Sequence, residues 1–169
     1  ASRRLAAPAT FAVATAADVT RADVGNRREP RACPTGFARM TSAILIVGAT
    51  GGIGSALARR LSAGGASLFL AGRDESRLAA LGAEIGASYA VVDATDFSDM
   101  DRIGDRAHAE LGRIDGMVNC AGSLLLKPAH LTKSDEFHAT IATNLTTAFA
   151  VVRTAARLMT DGGAVVLCS

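Results

Sequence analysis

Residues 43–169 predict a doubly wound α/β fold around a parallel sheet, and three observations carry that expectation. From residue 43 onward, short apolar runs alternate with stretches of helical period, which is how buried parallel strands and their crossover helices read in sequence. The first run, Ala43–Val47, leads straight into the cluster Gly48-Ala49-Thr50-Gly51-Gly52-Ile53-Gly54, and a helical pattern follows it. The chain is 49% hydrophobic with six Phe, one Tyr and no Trp, so its core has to be built from Ala, Val, Leu and Ile.

Taken in order, Ala43–Val47 reads as a buried strand. A helix follows over 53–61, with Ile53, Leu57 and Leu61 at i, i+4 and i+8. Gly64-Gly65 stops it. A second strand is expected at 66–71, then a helix initiated by Asp74 and running through Leu78 and Leu81. A third strand lies at 89–92 and a helix at 98–111. A fourth strand is expected at 114–118, one long helix or two in succession over 134–159, and a fifth strand at Gly163–Leu167.

Residues 1–39 break this pattern. They hold three of the four prolines, Pro8, Pro30 and Pro34, and show no sustained helix or strand period, so an unstructured leader is expected. They also carry seven Arg, no Lys and three acids, a net +4, which leaves the remainder at −2. An organellar transit segment would fit the Arg content. Upstream sequence ahead of a start at Met40 would fit equally and is favoured, because Met40 is followed at once by Thr-Ser-Ala and the first strand. Residues 40–169 are then expected to form the one folded domain, incomplete at its C-terminal end.

The charge split bears on partners. A mildly acidic folded part with few aromatic residues is a poor fit to a nucleic-acid reader. No apolar run approaches the roughly 20 residues that span a bilayer, so no membrane segment is expected. Cys33, Cys120 and Cys168 are far apart and make no CxxC pair, which favours a reducing compartment. His108, His130 and His138 lack metal-ligand spacing, and no metal is expected. Localisation is expected to be cytoplasmic, with an organelle as the alternative if 1–39 is a transit segment.

The chemistry begins at the glycine cluster. Glycines between a strand and a helix let the backbone turn sharply and approach a pyrophosphate, whose charge is met by free N–H groups at the helix start. Gly48, Thr50, Gly51, Gly52, Ile53 and Gly54 are therefore candidate cofactor-binding residues in a Rossmann-type sheet. No Gly-Lys-Ser/Thr follows, which argues against a mononucleotide P-loop. The spacing fits both Gly-x-x-x-Gly-x-Gly (48, 52, 54) and Gly-x-x-Gly-x-x-Gly (48, 51, 54). Arg73 follows the second strand, where dinucleotide folds read the adenosine ribose. A guanidinium there pairs with a 2′-phosphate, and Gly72 stands where an acid would accept from a free 2′-hydroxyl. NADP(H) is accordingly expected over NAD(H).

After the fourth strand comes Asn119-Cys120-Ala121-Gly122, and with it residues 43–169 resemble the short-chain dehydrogenase/reductase family, whose members carry Asn-Asn-Ala-Gly there. The second Asn is Cys here. The resemblance favours the family's ordinary branch, with the 48/52/54 spacing and strand order 3-2-1-4-5, the last strands missing. It implies that Asn119, Ala121 and Gly122 close over the adenine-ribose side of the cofactor and steady the sheet. It further implies that Asp93, with Ala94 beside it, lies next to the adenine ring. Asn144, in Ile141-Ala142-Thr143-Asn144-Leu145, would distort its helix and hold a water in a proton relay, which makes it the catalytic candidate.

The family's chemistry also needs a Ser after the fifth strand and a Tyr-x-x-x-Lys pair, the Tyr as general acid/base and the Lys lowering its pKa. Tyr89 is the only Tyr and neither Lys127 nor Lys133 follows it at that spacing. The implied parent is an NADP(H)-dependent oxidoreductase acting on a small carbonyl or alcohol, and a homo-oligomer, with this chain as its cofactor-binding part. Two alternatives stand beside it: a non-catalytic NADP(H) sensor, and an extended-branch epimerase or dehydratase. The 163–167 strand is expected to present an unpaired edge.

Overall fold

In a computed structural model, which describes residues 11–15 and 42–168, the alternating pattern folds into a parallel sheet of six strands. Chain order is β1 (Phe11–Thr15), β2 (Ala43–Val47), α1 (Gly52–Ala63), β3 (Ser67–Gly72), α2 (Glu75–Ile85), β4 (Ser88–Val91), α3 (Phe97–Leu111), β5 (Gly116–Asn119), α4 (Ser134–Ile141), α5 (Thr147–Leu158) and β6 (Gly163–Leu167). Across the sheet the order is β1-β6-β5-β2-β3-β4. Counted from β2, the five strands expected from the sequence stand as 3-2-1-4-5, the Rossmann-type arrangement.

Successive side chains of a strand face opposite ways, so an apolar run such as Ala43–Val47 feeds two cores at once. Leu45 and Val47 point into a cluster with Phe69, Met100, Ile103 and Val151, which joins the sheet to α3 and α5. Ile46 points the other way, into a cluster with Leu70, Leu78, Leu81 and Ala58 beneath α1 and α2. Fully burying a Leu, Ile or Phe stabilises by about 1.5–3 kcal/mol, so these two layers hold the sheet between its helices. On α3, Gly104 lets α5 approach: a Cβ there would lie 2.5 Å from Thr154 Cγ2 and 2.9 Å from Leu158 Cδ1.

Two expectations are corrected. The unstructured leader gives way at Phe11–Thr15, which pairs in parallel with β6, Phe11 opposite Gly163 through Thr15 opposite Leu167. Phe, Val and Thr favour extended backbone, but Ala separates them and neither a glycine turn nor a helical pattern follows to mark the run as a strand. The rest of 1–39, and the boundary at 39/40, lie outside the described residues. By the same pairing, the 163–167 strand has a neighbour on each side, β5 and β1, and its expected open edge is covered. Over 134–159 the structure shows two helices in succession, α4 and α5, joined by a π-helical turn, Ala142–Thr146. Among the described residues no helix is long and apolar enough to cross a membrane.

Candidate functional site

A cleft of about 590 Å³ opens at the C-terminal ends of β2, β3, β4 and β5. It lies where the chain leaves the central β2 toward β3 on one side while β5 sits on the other, the switch point at which open α/β sheets bind ligands. Of the residues expected at a cofactor site, Gly48, Thr50, Gly51, Arg73, Asp93, Ala94, Ala121 and Gly122 line it. Gly52, Ile53 and Gly54 form the first turn of α1 beside it, and Asn119 and Asn144, not themselves in the lining, hydrogen-bond to Ala121 and to Ser123 next to Gly122.

The glycines divide into two tasks. Gly48 has φ +78°, and a Cβ there would lie 2.5 Å from Ala121 N and 2.7 Å from the Cys120 carbonyl carbon, so the loop after β2 lies backbone against backbone on the segment after β5. Gly54 allows the helix to close on the same loop; a Cβ there would collide with Gly48 O and lie 2.9 Å from Ala49 Cα. Gly51 and Gly52 are exposed, and a Cβ at Gly52 would meet nothing within 4 Å. They leave the open side of the turn bare. No side chain caps α1 and no acid stands in its first turn, whereas Asp74 caps α2 and Asp96 caps α3. The uncapped N–H groups and the positive end of the α1 dipole fit an anion such as a pyrophosphate.

At the far end of the cleft Arg73 is exposed and holds no ion pair among the described residues. Its neighbour Asp74 is occupied elsewhere, accepting from Arg77 N at 3.0 Å and Ser76 Oγ at 2.8 Å. Those bonds, the Arg77 backbone N–H foremost, hold the Asp74 carboxyl below the usual aspartate range. Asp93 accepts from Thr95 Oγ1 at 2.7 Å and Thr95 N at 3.0 Å, both on Oδ1. The Thr95 hydroxyl and amide lower its pKa, with a smaller contribution from the Arg73 charge. Asp93 is thus held as a carboxylate on the cleft wall that also carries the Arg73 guanidinium.

Asn119 is 2% exposed. Its Oδ1 accepts from Ala121 N at 3.1 Å and its Nδ2 donates to Thr147 Oγ1 at 3.4 Å, so it ties the end of β5 to α5 and turns the chain into the cleft. Asn144 sits in the π-helical turn. Its Nδ2 donates to Ser123 O and Thr140 O, each at 2.9 Å, and its Oδ1 accepts from Ser123 N at 3.1 Å. It fastens Ser123, just past Gly122, to the π-helical turn. Sequence reasoning missed Arg77, Thr95, Thr143 and Thr147, which also line the cleft. Arg77 lies one helical turn beyond Arg73, a spacing that could have found it; Thr147 carries no such signal.

Cys120 and Cys168, 48 residues apart, lie side by side with sulfurs 3.7 Å apart. Burial, and secondarily the neighbouring Cys168, push the Cys120 thiol up to about 12.

The fold that builds this cleft recurs in known proteins. An uncharacterised oxidoreductase of Mycobacterium tuberculosis is 35% identical over 139 residues, 79% of this chain and 52% of that protein. A short-chain type dehydrogenase/reductase from Mycobacterium ulcerans superposes with a TM-score of 0.71 at 30% identity, covering 75% of this chain and 50% of that one. Two further solved neighbours are an actinorhodin polyketide ketoreductase with NADPH (TM-score 0.63, 27% identity, 67% and 46% covered) and a 3-ketoacyl-(acyl-carrier-protein) reductase from Brucella melitensis with NADH (0.64, 26%, 68% and 48%). The chain spans about half the length of the curated relatives it matches. The family description short chain dehydrogenase matches residues 42–169. That match takes in every strand from β2 to β6 and the whole cleft between them, and on it the chain belongs to the short-chain dehydrogenase family.

Proposed function

We propose that this chain is the dinucleotide-binding part of an oxidoreductase that exchanges hydride between NADP(H) and a small carbonyl or alcohol substrate. The observation that carries the cofactor reading is Arg73: an exposed guanidinium lining the cleft with no ion pair among the described residues, following a Gly72 that offers no carboxylate. Solved relatives hold NADPH in one case and NADH in another, so family membership alone leaves the choice to the residues at this position. Charge-assisted hydrogen bonds to a 2′-phosphate contribute about 1.5–3 kcal/mol each. Arg77, one turn along α2, adds a second positive charge to the same wall.

The bound nicotinamide would supply or accept the hydride. The chain's own residues would do the rest of the binding: the first-turn N–H groups of α1 meet the pyrophosphate, Asp93 and Ala94 border the adenine, and Asn119, Ala121 and Gly122 close the ribose side. Asn144 has both amide hydrogens committed to carbonyls, and its Oδ1 keeps one lone pair beyond the Ser123 bond. It would hold a relay water by accepting from it. Among the 169 residues, the one Tyr is in β4 and Asp93 follows it at the Lys spacing, so no Tyr-x-x-x-Lys donor pair is present. General acid catalysis is worth about 100- to 10,000-fold, and these 169 residues by themselves are expected to bind cofactor without turnover.

Fluorescence titration with NADPH and NADH tests the reading. NADPH should bind at least about tenfold more tightly, the equivalent of about 1.4 kcal/mol, and Arg73→Asp should reverse the order. Equal affinities, or an Arg73→Asp chain that still prefers NADPH, would remove Arg73 as the discriminator. The same samples should show no ketone-dependent NADPH oxidation.

A further inference from the structure

We propose that Cys120 and Cys168 form a reversible intrachain disulfide at the wall of the cleft, and that this bond weakens dinucleotide binding next to it. The two cysteines stand at the ends of the adjacent parallel strands β5 and β6. Asn119 pairs with Leu167 in the sheet, and Cys168 N donates to Asn119 O at 2.9 Å, which carries the same register one residue further. The sulfurs already lie 3.7 Å apart, against about 2.05 Å in a disulfide, so closure asks for side-chain movement of under 2 Å. Both residues are half-buried, and both belong to the chain's free cysteines.

The site is coupled to the cleft through backbone rather than through distance. Cys120 lines the cleft. Its N–H donates to Val47 O at 2.7 Å, at the root of the glycine turn, and the Cys120–Ala121 peptide is the very group against which Gly48 packs. Packing that leaves no room for a Cβ leaves little for a shift. Drawing Cys120 toward Cys168 therefore pulls on the peptide that supports the phosphate-binding turn, and the cost falls on the ligand held there. This second half of the proposal rests on the dinucleotide reading of the cleft; the bond itself does not.

The chemistry balances with a peroxide as oxidant. The Cys168 sulfur attacks one peroxide oxygen, the O–O bond breaks, and water leaves with the second oxygen, giving a sulfenic acid. The Cys120 sulfur then attacks the Cys168 sulfur; the S–S bond forms, the S–O bond breaks, and the Cys120 proton leaves with the hydroxide as a second water. Two thiols lose two electrons and one peroxide is reduced to two waters. Burial disfavours the thiolate at Cys120, and the balance is the same whichever sulfur meets the peroxide first. A dithiol reductant reverses the bond by exchange.

The test uses the full chain carrying Cys33→Ser, so that only this pair can respond. After treatment with hydrogen peroxide, mass spectrometry should find one Cys120–Cys168 cross-linked peptide and two thiols lost per chain, with the elution volume unchanged. NADPH affinity should fall at least threefold and return with dithiothreitol. Cys168→Ser in the same background should keep the affinity of the reduced chain and show no response to peroxide. Thiols that survive in the folded chain, or cross-links between chains, would overturn the bond. A complete cross-link with unchanged affinity would overturn the coupling. If the reduced chain binds neither NADPH nor NADH, the cofactor reading and the coupling fall together, while the peptide mass still decides the bond.

Discussion

At Gly54 a single methyl group would have to share space with Gly48 O, whereas at Gly52, two residues earlier, it would meet nothing within 4 Å. The two glycines therefore separate folding from binding. Gly54→Ala should force the turn apart, lowering thermal stability by about 1–3 kcal/mol, the usual cost of overpacking, and weakening NADPH as well. Gly52→Ala should leave the melting temperature unchanged or raise it, since Ala is up to about 1 kcal/mol better than Gly in a helix, while its methyl obstructs the bare side of the turn and weakens NADPH alone. Melting curves and NADPH titrations on both variants check this, and a Gly52→Ala chain with full affinity would show that the exposed side of the turn is not a binding surface. Residues of this kind are legible in sequence because their chemistry is local: a glycine turn between strand and helix, or an Arg just past a strand. Thr147 and the Cys120–Cys168 contact were not legible, because only the crossing of α5 brings Thr147 to the cleft wall and only the pairing of β5 with β6 sets the two sulfurs side by side.

Elements were legible wherever period and punctuation agreed. Asp74 and Asp96 open α2 and α3 as N-caps, and the caps carry a pH signature. The Asp96 carboxylate accepts from Ser98 Oγ, Ser98 N and Asp99 N, which together hold its pKa below the usual aspartate value. A depressed folded pKa contributes stability that is fully present above the unfolded value of about 3.9 and is lost as pH falls through the folded one. Asp96→Ala should accordingly melt below the parent at neutral pH, with the gap closing as the pH is taken down through that window; a gap that persists at the acid end would mean the charge is not what caps the helix. The contact of α3 with α5 makes a second element-scale prediction. Ala normally stabilises a helix relative to Gly, but Gly104→Ala would press on Thr154 and Leu158, so it should instead destabilise by about 1–3 kcal/mol in chemical denaturation. The π-helical turn was the element that periodicity could not show. Asn144 Nδ2 takes Thr140 O and Thr147 Oγ1 takes Thr143 O at 2.6 Å, so side chains compete for carbonyls that an α-helix would use, and apolar spacing records nothing of that competition.

On the scale of the whole molecule, the sheet is closed at one edge by a segment that has no visible tie to it in sequence. The central strands follow from their own composition, but β1 is defined only by its partner: five residues in an Ala- and Arg-rich stretch that pair with β6 along its full length. Parallel strands are ordinarily sheltered, and β6 holds an apolar Val165-Val166-Leu167 run whose backbone groups on that side would otherwise be unpaired. A chain beginning at Met40 removes the partner and leaves every residue of the cleft in place. It should melt at a lower temperature than the full chain and associate with rising concentration, while the reduced monomer keeps its preference between NADPH and NADH. Because deletion removes much besides β1, the full-length double variant Ala12→Pro/Val13→Pro supplies the second arm. Adjacent residues of a strand turn their N–H groups to opposite sides, so replacing both withdraws whichever donor faces β6 and breaks the pairing with the remaining leader intact. It should behave as the Met40 chain does in melting and in size-exclusion chromatography at several concentrations. If the Met40 chain and the proline variant both match the parent in melting temperature and stay monodisperse, β1 contributes nothing to the stability of the sheet and the edge of β6 needs no cover.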